Sequence, residues 1–205
     1  MSDAPTSKFT PAPMDSSKRT WLIASSCAGA AGAAALATPF VASFAPSERA
    51  KAAGAAVEVD IAAVKPGEKI TVEWRGKPVW IMRRTPEQLE TLKQVEGELA
   101  DPNSDRTAFP TPEYARNPQR SIRPEVFVTV GICTHLGCSP TAVPAGTSNP
   151  SVGDQWQGGF FCPCHGSTFD LAGRVFKNKP APTNLEVPPH RYVSDTRLLI
   201  GDDAA

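Results

Sequence analysis

The chain has no net charge, no visible internal repeat and, from Trp21 to Phe44, no charged residue. Lysine plus arginine equals aspartate plus glutamate, 21 each in 205 residues, so the electrostatic footprint of a nucleic-acid or polyanion binder is missing. Without repeats, the length is that of one ordinary domain with an appendage. The charge-free stretch is long enough to cross a bilayer, for which about 20 apolar residues suffice. Against these absences stand 21 prolines and 15 glycines, which favour short strands and many turns over a helix bundle.

Residues 1–17 are polar and read as a disordered cytoplasmic lead. Residues 18–45 read as an export signal and transmembrane anchor. The run is rich in alanine and glycine, and Pro39 is expected to bend or thin its outer end. Lys18 and Arg19 precede it and hold the N-terminus in the cytoplasm. Ser17-Lys18-Arg19-Thr20-Trp21-Leu22 resembles a twin-arginine export signal with lysine in the first place of the pair. The alternative is a signal peptide cut near Ala35-Leu36-Ala37 or Ala42. Cys27, in this apolar run, reads as a small hydrophobe. Residues 46–56 are small and polar and read as a linker.

The head spans residues 57–205. Lys69–Trp74 alternate apolar and polar as a half-buried strand does, and Pro78–Met82 follow a turn at Arg75-Gly76-Lys77. Thr85-Pro86-Glu87-Gln88 is a capping box, and Leu89, Leu92, Val95 and Leu99 share the core face of the helix it opens. Residues 101–121 read as a long loop, and Val126–Val130 as a strand entering the first motif. Further strands are expected at 159–161, 168–170, 174–176, 185–187, 190–194 and 197–200.

Two short segments carry the chemistry. Cys133-Thr134-His135-Leu136-Gly137-Cys138 and Cys162-Pro163-Cys164-His165-Gly166-Ser167 together offer four cysteines and two histidines. Some four of these six could hold structural zinc, although zinc sites favour a Cys-x2-4-Cys pair. The alternative is two thiolates on one iron and two imidazoles on another. The segments resemble those of Rieske iron-sulfur proteins, and more narrowly the Rieske subunit of the respiratory cytochrome bc complex. Rieske centres are themselves the reference case for mixed Cys/His ligation. Their known potentials run from about −150 to +300 mV, against about −400 mV for plant-type ferredoxins.

The resemblance implies a mainly β fold: an antiparallel Rieske-type domain with one helix and a cluster-binding subdomain at about 131–188, on a single N-terminal transmembrane helix. It implies one 2Fe-2S cluster with Cys133 and Cys162 on the buried iron, His135 and His165 on the outer one, and a Cys138–Cys164 disulfide locking the loops. His135 and His165 become the catalytic pair. His165 meets the quinol and takes its proton as the outer iron takes the electron. Ser167 matches a serine that donates to a bridging sulfide. Phe169 stands where high-potential members have a tyrosine that donates to a ligand cysteine. Pro180-Ala181-Pro182 matches the lid over the cluster, although Lys179 stands where glycine is usual. Leu136 matches the residue that docks into cytochrome b. His190 lies outside both motifs and reads as a structural histidine at a strand end.

The implied function is electron transfer from ubiquinol to a c-type cytochrome, as part of a multi-subunit quinol:cytochrome c oxidoreductase (translocase). The implied partners are the cytochrome b and c-type cytochrome subunits, ubiquinol and the membrane, in a dimeric complex without nucleic acid. The implied location is the bacterial inner membrane, crossed once, with the cluster domain periplasmic and residues 46–56 serving as a hinge. The small subunit of a periplasmic arsenite oxidase is the alternative, but that family lacks the Asn184-Leu185-Glu186-Val187-Pro188 loop and the hinge. A Rieske ferredoxin feeding an oxygenase fits less well, because of the membrane segment and the two extra cysteines.

Overall fold

A computed structural model describes residues 16–47, 54–147 and 149–202. The chain divides into two compact units, Met1–Arg49 and Ala50–Ala205. Most of the expected N-terminal lead, and residues 48–53 of the expected linker, lie outside the described residues.

Helix α1, Ser16–Ser43, has 28 residues, which at 1.5 Å each is about 42 Å. It is long and apolar enough to cross a membrane, and none of its residues is buried. The helix runs through Pro39 to Ser43, and Thr38 Oγ1 donates to the carbonyl of Ala34 in that region.

Among the described residues, the head is built of three antiparallel three-stranded sheets. Strands β2 (Lys69–Trp74), β3 (Lys77–Arg83) and β4 (Val126–Val130) form a meander in that order. The first and last strands, β1 (Val57–Asp60) and β9 (Arg197–Ile200), pair, with β8 (His190–Ser194) outside β9. Strand β4 is buried at all five positions, and Val128 and Val130 join Val59, Ile81, Leu198 and Ile200 in one core. The third sheet, β5 (Thr141–Val143), β6 (Gly159–Phe161) and β7 (Thr168–Phe169), packs Phe160 and Phe169 into a second core. That second core contains Cys133 and Cys162.

Helix α2, Pro86–Gln94, starts as the sequence predicts. Gln88 N–H donates to Thr85 Oγ1, and the Gln88 side chain accepts from the Thr85 amide. It is shorter than its apolar stripe. Val95 caps it and Leu99 follows a 3-10 turn at Glu96–Glu98, yet both remain buried.

Two expected strands are absent. Around 174–176 only isolated bridges form, Phe169 with Val175 and Leu99 with Phe176. At 185–187 the backbone groups are committed elsewhere: Leu185 N–H donates to Gly173 O, and Glu186 O accepts from Val130 N–H and Thr129 Oγ1. Pro188, which has no N–H, ends any continuation. Strands β1 and β5 were not anticipated. The 101–121 segment is a loop apart from a 3-10 turn at Glu113–Ala115, but it buries Asp101, Ser104, Thr111, Ala115 and Arg120.

Thr111 and Arg120 belong to a buried arginine cluster. Arg84, Arg120 and Arg174 are all 2% exposed or less. Arg174 pairs with buried Asp170 at 2.7 Å. Arg84 donates to the carbonyls of Pro124, Gln119 and Leu171 and to Ser121 Oγ. Arg120 donates to the carbonyls of Ala172, Gly173 and Leu185 and to Thr111 Oγ1. Burial lowers the basicity of Arg84 and Arg120, while the Asp170 charge opposes that shift. The carbonyl dipoles substitute for water around the surplus positive charge, and the turn after β7 is clamped to the meander.

Candidate metal centre

The two motif loops have the same backbone. In the first, Cys133 N–H donates to Cys138 O and Gly137 N–H to Cys133 O; in the second, Cys162 N–H donates to Ser167 O and Gly166 N–H to Cys162 O. Gly137 and Gly166 both have φ near +80°, at 83° and 77°, a conformation that side chains with a Cβ rarely adopt. Cys133 and Cys162 are therefore equivalent positions, followed two places later by His135 and Cys164, and three places later by Leu136 and His165. This internal equivalence was not read from the sequence. The glycine four places after each buried cysteine was the available signal.

The sequence-derived site residues converge. Cys133 and Cys162 are free and buried, and their thiols lie close enough for Cys162 to raise the cost of ionising Cys133. His135 is half-buried and His165 exposed, their rings edge to face with centroids 4.8 Å apart. Cys138 and Cys164 form the expected disulfide. It spans 26 residues, and the loop entropy it removes from the unfolded chain amounts to about 3.5 kcal/mol. The sulfur of Cys162 lies within 4.8 Å of both sulfurs of that bridge. Leu136 protrudes, 71% exposed.

The donor set suits a metal group held unsymmetrically. Burial foremost, and after it the neighbouring Cys162 thiol, push the Cys133 thiol up, so two thiolates here need a cation to neutralise them. The disulfide removes two of the six candidate ligands, leaving two sulfurs inside and two imidazoles outside. Ser167 is fully buried, its oxygen accepting from Ala181 N–H at 3.0 Å. Phe169 is fully buried in the same apolar core as both thiols.

The segment from Ala181 to Glu186 is tied down along its length. Thr134 Oγ1 donates to Thr183 O, Arg106 to Pro182 O, and Arg120 to Leu185 O. Asn184 accepts from Val175 N–H and donates to Asp101 O and Ser104 Oγ. Lys77 pairs with Glu186 at 3.0 Å. The left-handed residue of this region is Asn178, φ 57°, and not Lys179, so lysine in place of glycine carries no backbone strain. Arg106, and the part Asn184 plays within the loop motif, are not legible in the sequence, since the partners lie about 80 residues away. His190 is buried at the start of β8, its Nδ1 2.8 Å from Pro188 O and its amide donating to Tyr114 Oη, as a structural histidine should be.

Residues 106–189 match the family described as Rieske [2Fe-2S] domain. The chain is 54% identical over 186 residues to the ubiquinol-cytochrome c reductase iron-sulfur subunit of Allochromatium vinosum, covering 91% of this chain and 88% of that one. It is 40% identical to the subunit of the same name from Bradyrhizobium diazoefficiens, covering 87% and 90%. Among solved structures, a chain of a hyperthermophilic respiratory Complex III matches with 25% identity and a TM-score of 0.45, over 86% of this chain and 97% of that one. With two buried thiols beneath two histidines, and near full-length identity of this order, the chain belongs to the family of Rieske iron-sulfur subunits of ubiquinol-cytochrome c reductase, whose cofactor is a 2Fe-2S cluster.

Proposed function

We propose that the chain is the electron-transfer subunit of a cytochrome bc complex, receiving one electron and one proton from ubiquinol at a cytochrome b interface and delivering the electron to a c-type cytochrome. The observation that carries this reading is the gradient of exposure across the site: thiols buried, one imidazole half-buried, the other in solvent beside a protruding leucine. When bound, a 2Fe-2S cluster supplies a one-electron acceptor, and ligation by two neutral imidazoles in place of two thiolates raises its potential.

The remaining roles belong to the chain. Cys133 and Cys162, in an apolar core, would hold one iron of the cluster, and His135 and His165 would hold the other, each through one ring nitrogen. The other nitrogen of His165 takes the quinol proton. Leu136 seats the tip in cytochrome b, and Pro180-Ala181-Pro182 covers the cluster. Helix α1 anchors the chain in the bacterial inner membrane with its N-terminus cytoplasmic, and the disulfide suits a head in the oxidising periplasm. Residues 46–56 form the hinge, and the complex is dimeric.

Detergent-solubilised membranes test the assignment. Co-elution with b- and c-type haem and quinol:cytochrome c reductase activity is expected; co-elution with a molybdenum protein would support the arsenite oxidase alternative, which the named relatives do not favour.

Two further results are expected. Because the proton is held on the imidazole more tightly after reduction, the midpoint potential falls as pH rises, by about 59 mV per unit for each coupled proton. A potential that stays level between about pH 6 and 10 would refute proton uptake at the histidines. Phe169→Tyr adds a hydroxyl in the core that holds both thiols. One net hydrogen bond of about 1 kcal/mol to sulfur corresponds to about 40 mV for one electron, so the potential rises by roughly that amount. An unchanged or lower potential would remove Phe169 from the tuning residues.

A further inference from the structure

The two cysteine-bearing loops hang from different sheets. The first follows β4 of the meander and the second follows β6 of the third sheet, and among the described residues no strand pairing joins those two sheets. The Cys138–Cys164 disulfide ties the loops at their more exposed ends. Side chains must set the spacing at the buried ends, where Cys133 and Cys162 are each 2% exposed. Trp80, on β3, is placed to do so. Its ring centroid lies 5.2 Å from that of Phe160, two residues before Cys162. On the other loop it lies against Gly131, two residues before Cys133: a Cβ there would come within 2.2 Å of the indole Cε2 and 2.4 Å of Nε1. Gly131 and Phe160 stand equally far ahead of their buried cysteines, so one ring touches the same point on each segment. Trp80 is buried in the core that holds Phe160 and both thiols. Gly131 N–H donates to Pro78 O, which moors it to the strand carrying Trp80. Lys69 Nζ, 3.9 Å from the indole centroid, holds the ring from β2 as a cation over its face.

We propose that Trp80 is a positioning residue for the metal centre: its indole is the spacer that sets the separation of the Cys133 and Cys162 segments, and position 131 is glycine because the indole fills the space a side chain would need. This deepens the cluster reading above and rests on it. Gly131 does not take a positive φ, so alanine meets no left-handed strain there and the indole itself excludes the methyl. A flat, rigid ring suits the task, because a close-packed interior transmits small displacements. Pushing the indole away from residue 131 moves Phe160 and the start of the second loop. Shortening it lets the two sheets approach. Either change alters the spacing of the two sulfurs, and a metal site tolerates displacements of only about 0.5 Å.

Iron content and the EPR spectrum of the reduced centre, measured on the complex purified from native membranes, test this. Gly131→Ala is expected to at least halve the iron per chain and to broaden or shift the signal of what remains. Trp80→Leu should do the same, whereas Trp80→Phe, which keeps a ring against Phe160, should keep the wild-type spectrum. Val128→Ala, a truncation in the other core, should lower thermal stability and leave iron and spectrum unchanged. The decisive comparison is G131A in the W80L background: with the indole gone the methyl has room, so G131A should cost no further iron there. The proposal is overturned by a wild-type spectrum in G131A or W80L, by an equal spectral change in V128A, or by the same loss of iron from G131A in both backgrounds. If W80L carries no iron at all, W80F, whose ring lacks the fused edge that meets the Cβ, replaces it in that comparison and the same outcomes decide. An iron-free wild-type complex would instead remove the cluster reading itself.

Discussion

Cys162→Ser is expected to abolish the iron centre: no iron above background, no visible absorbance from the head and no quinol:cytochrome c reductase activity, while Cys27→Ser keeps all three. Cys27, Cys133 and Cys162 are all free, but Cys27 lies exposed on α1 and only the other two face each other in a buried site. Serine is nearly isosteric with cysteine, but its oxygen is a harder donor that resists ionisation, and soft sulfur ligands are what iron-sulfur sites select. The substitution also leaves a hydroxyl in an apolar core packed by Phe160, Phe169 and Val187, so the apo loops gain nothing in exchange. Full iron content in purified C162S, measured by metal analysis, would take Cys162 out of the ligand set. The Cys27 variant guards against attributing to one thiol what any cysteine loss would cause.

The second large effect is on stability. Asp170→Ala is expected to destabilise the head by about 3–5 kcal/mol, the usual cost of leaving one partner of a buried ion pair alone. Asp170 Oδ1 accepts from the amides of Ala172 and Arg174, and Oδ2 from Arg174 Nε. Truncation strands those two amides and leaves Arg174 buried with Leu92 O as its remaining named acceptor. Arg84 and Arg120 lose the carboxylate that offsets their own burial. Asp170→Asn keeps an acceptor for the amides and should lose less. The measurement is urea-induced bleaching of the cluster in the purified complex, and a D170A midpoint indistinguishable from wild type would show that the turn is held without the carboxylate.

These two substitutions mark the two sides of what the sequence makes legible. The ligands were readable because iron-sulfur chemistry needs particular donor atoms at short fixed spacing, and two hexapeptides display them without reference to the rest of the chain. The capping box at Thr85 and the alternation of Lys69–Trp74 were readable for the same reason, since their causes lie within a few residues. The arginine cluster was not. Arg84 and Arg120 look like solvated surface charges until the fold places carbonyls from residues 119–124, 171–173 and 185 around them, and Asp170 does until Arg174 and two backbone amides converge on it. Residues 185–187 carry a strand-like pattern, but its alternation reflects packing under the lid, with the hydrogen bonds diverted to Gly173, Thr129 and Arg120. Strand β1 is short and finds its partner, β9, at the far end of the chain, a pairing that no local pattern encodes.

The central claim is a cluster held by two sulfurs on one side and two imidazoles on the other. With only three histidines in the chain, and His190 buried with Nδ1 against Pro188 O, the imidazole side can be counted directly. Pulsed EPR on the reduced complex, with this chain carrying nitrogen-15 histidine, should show two strongly coupled histidine nitrogens, one of them missing in His165→Cys. A spectrum with no coupled histidine nitrogen, or an iron-free head carrying zinc, would contradict the account.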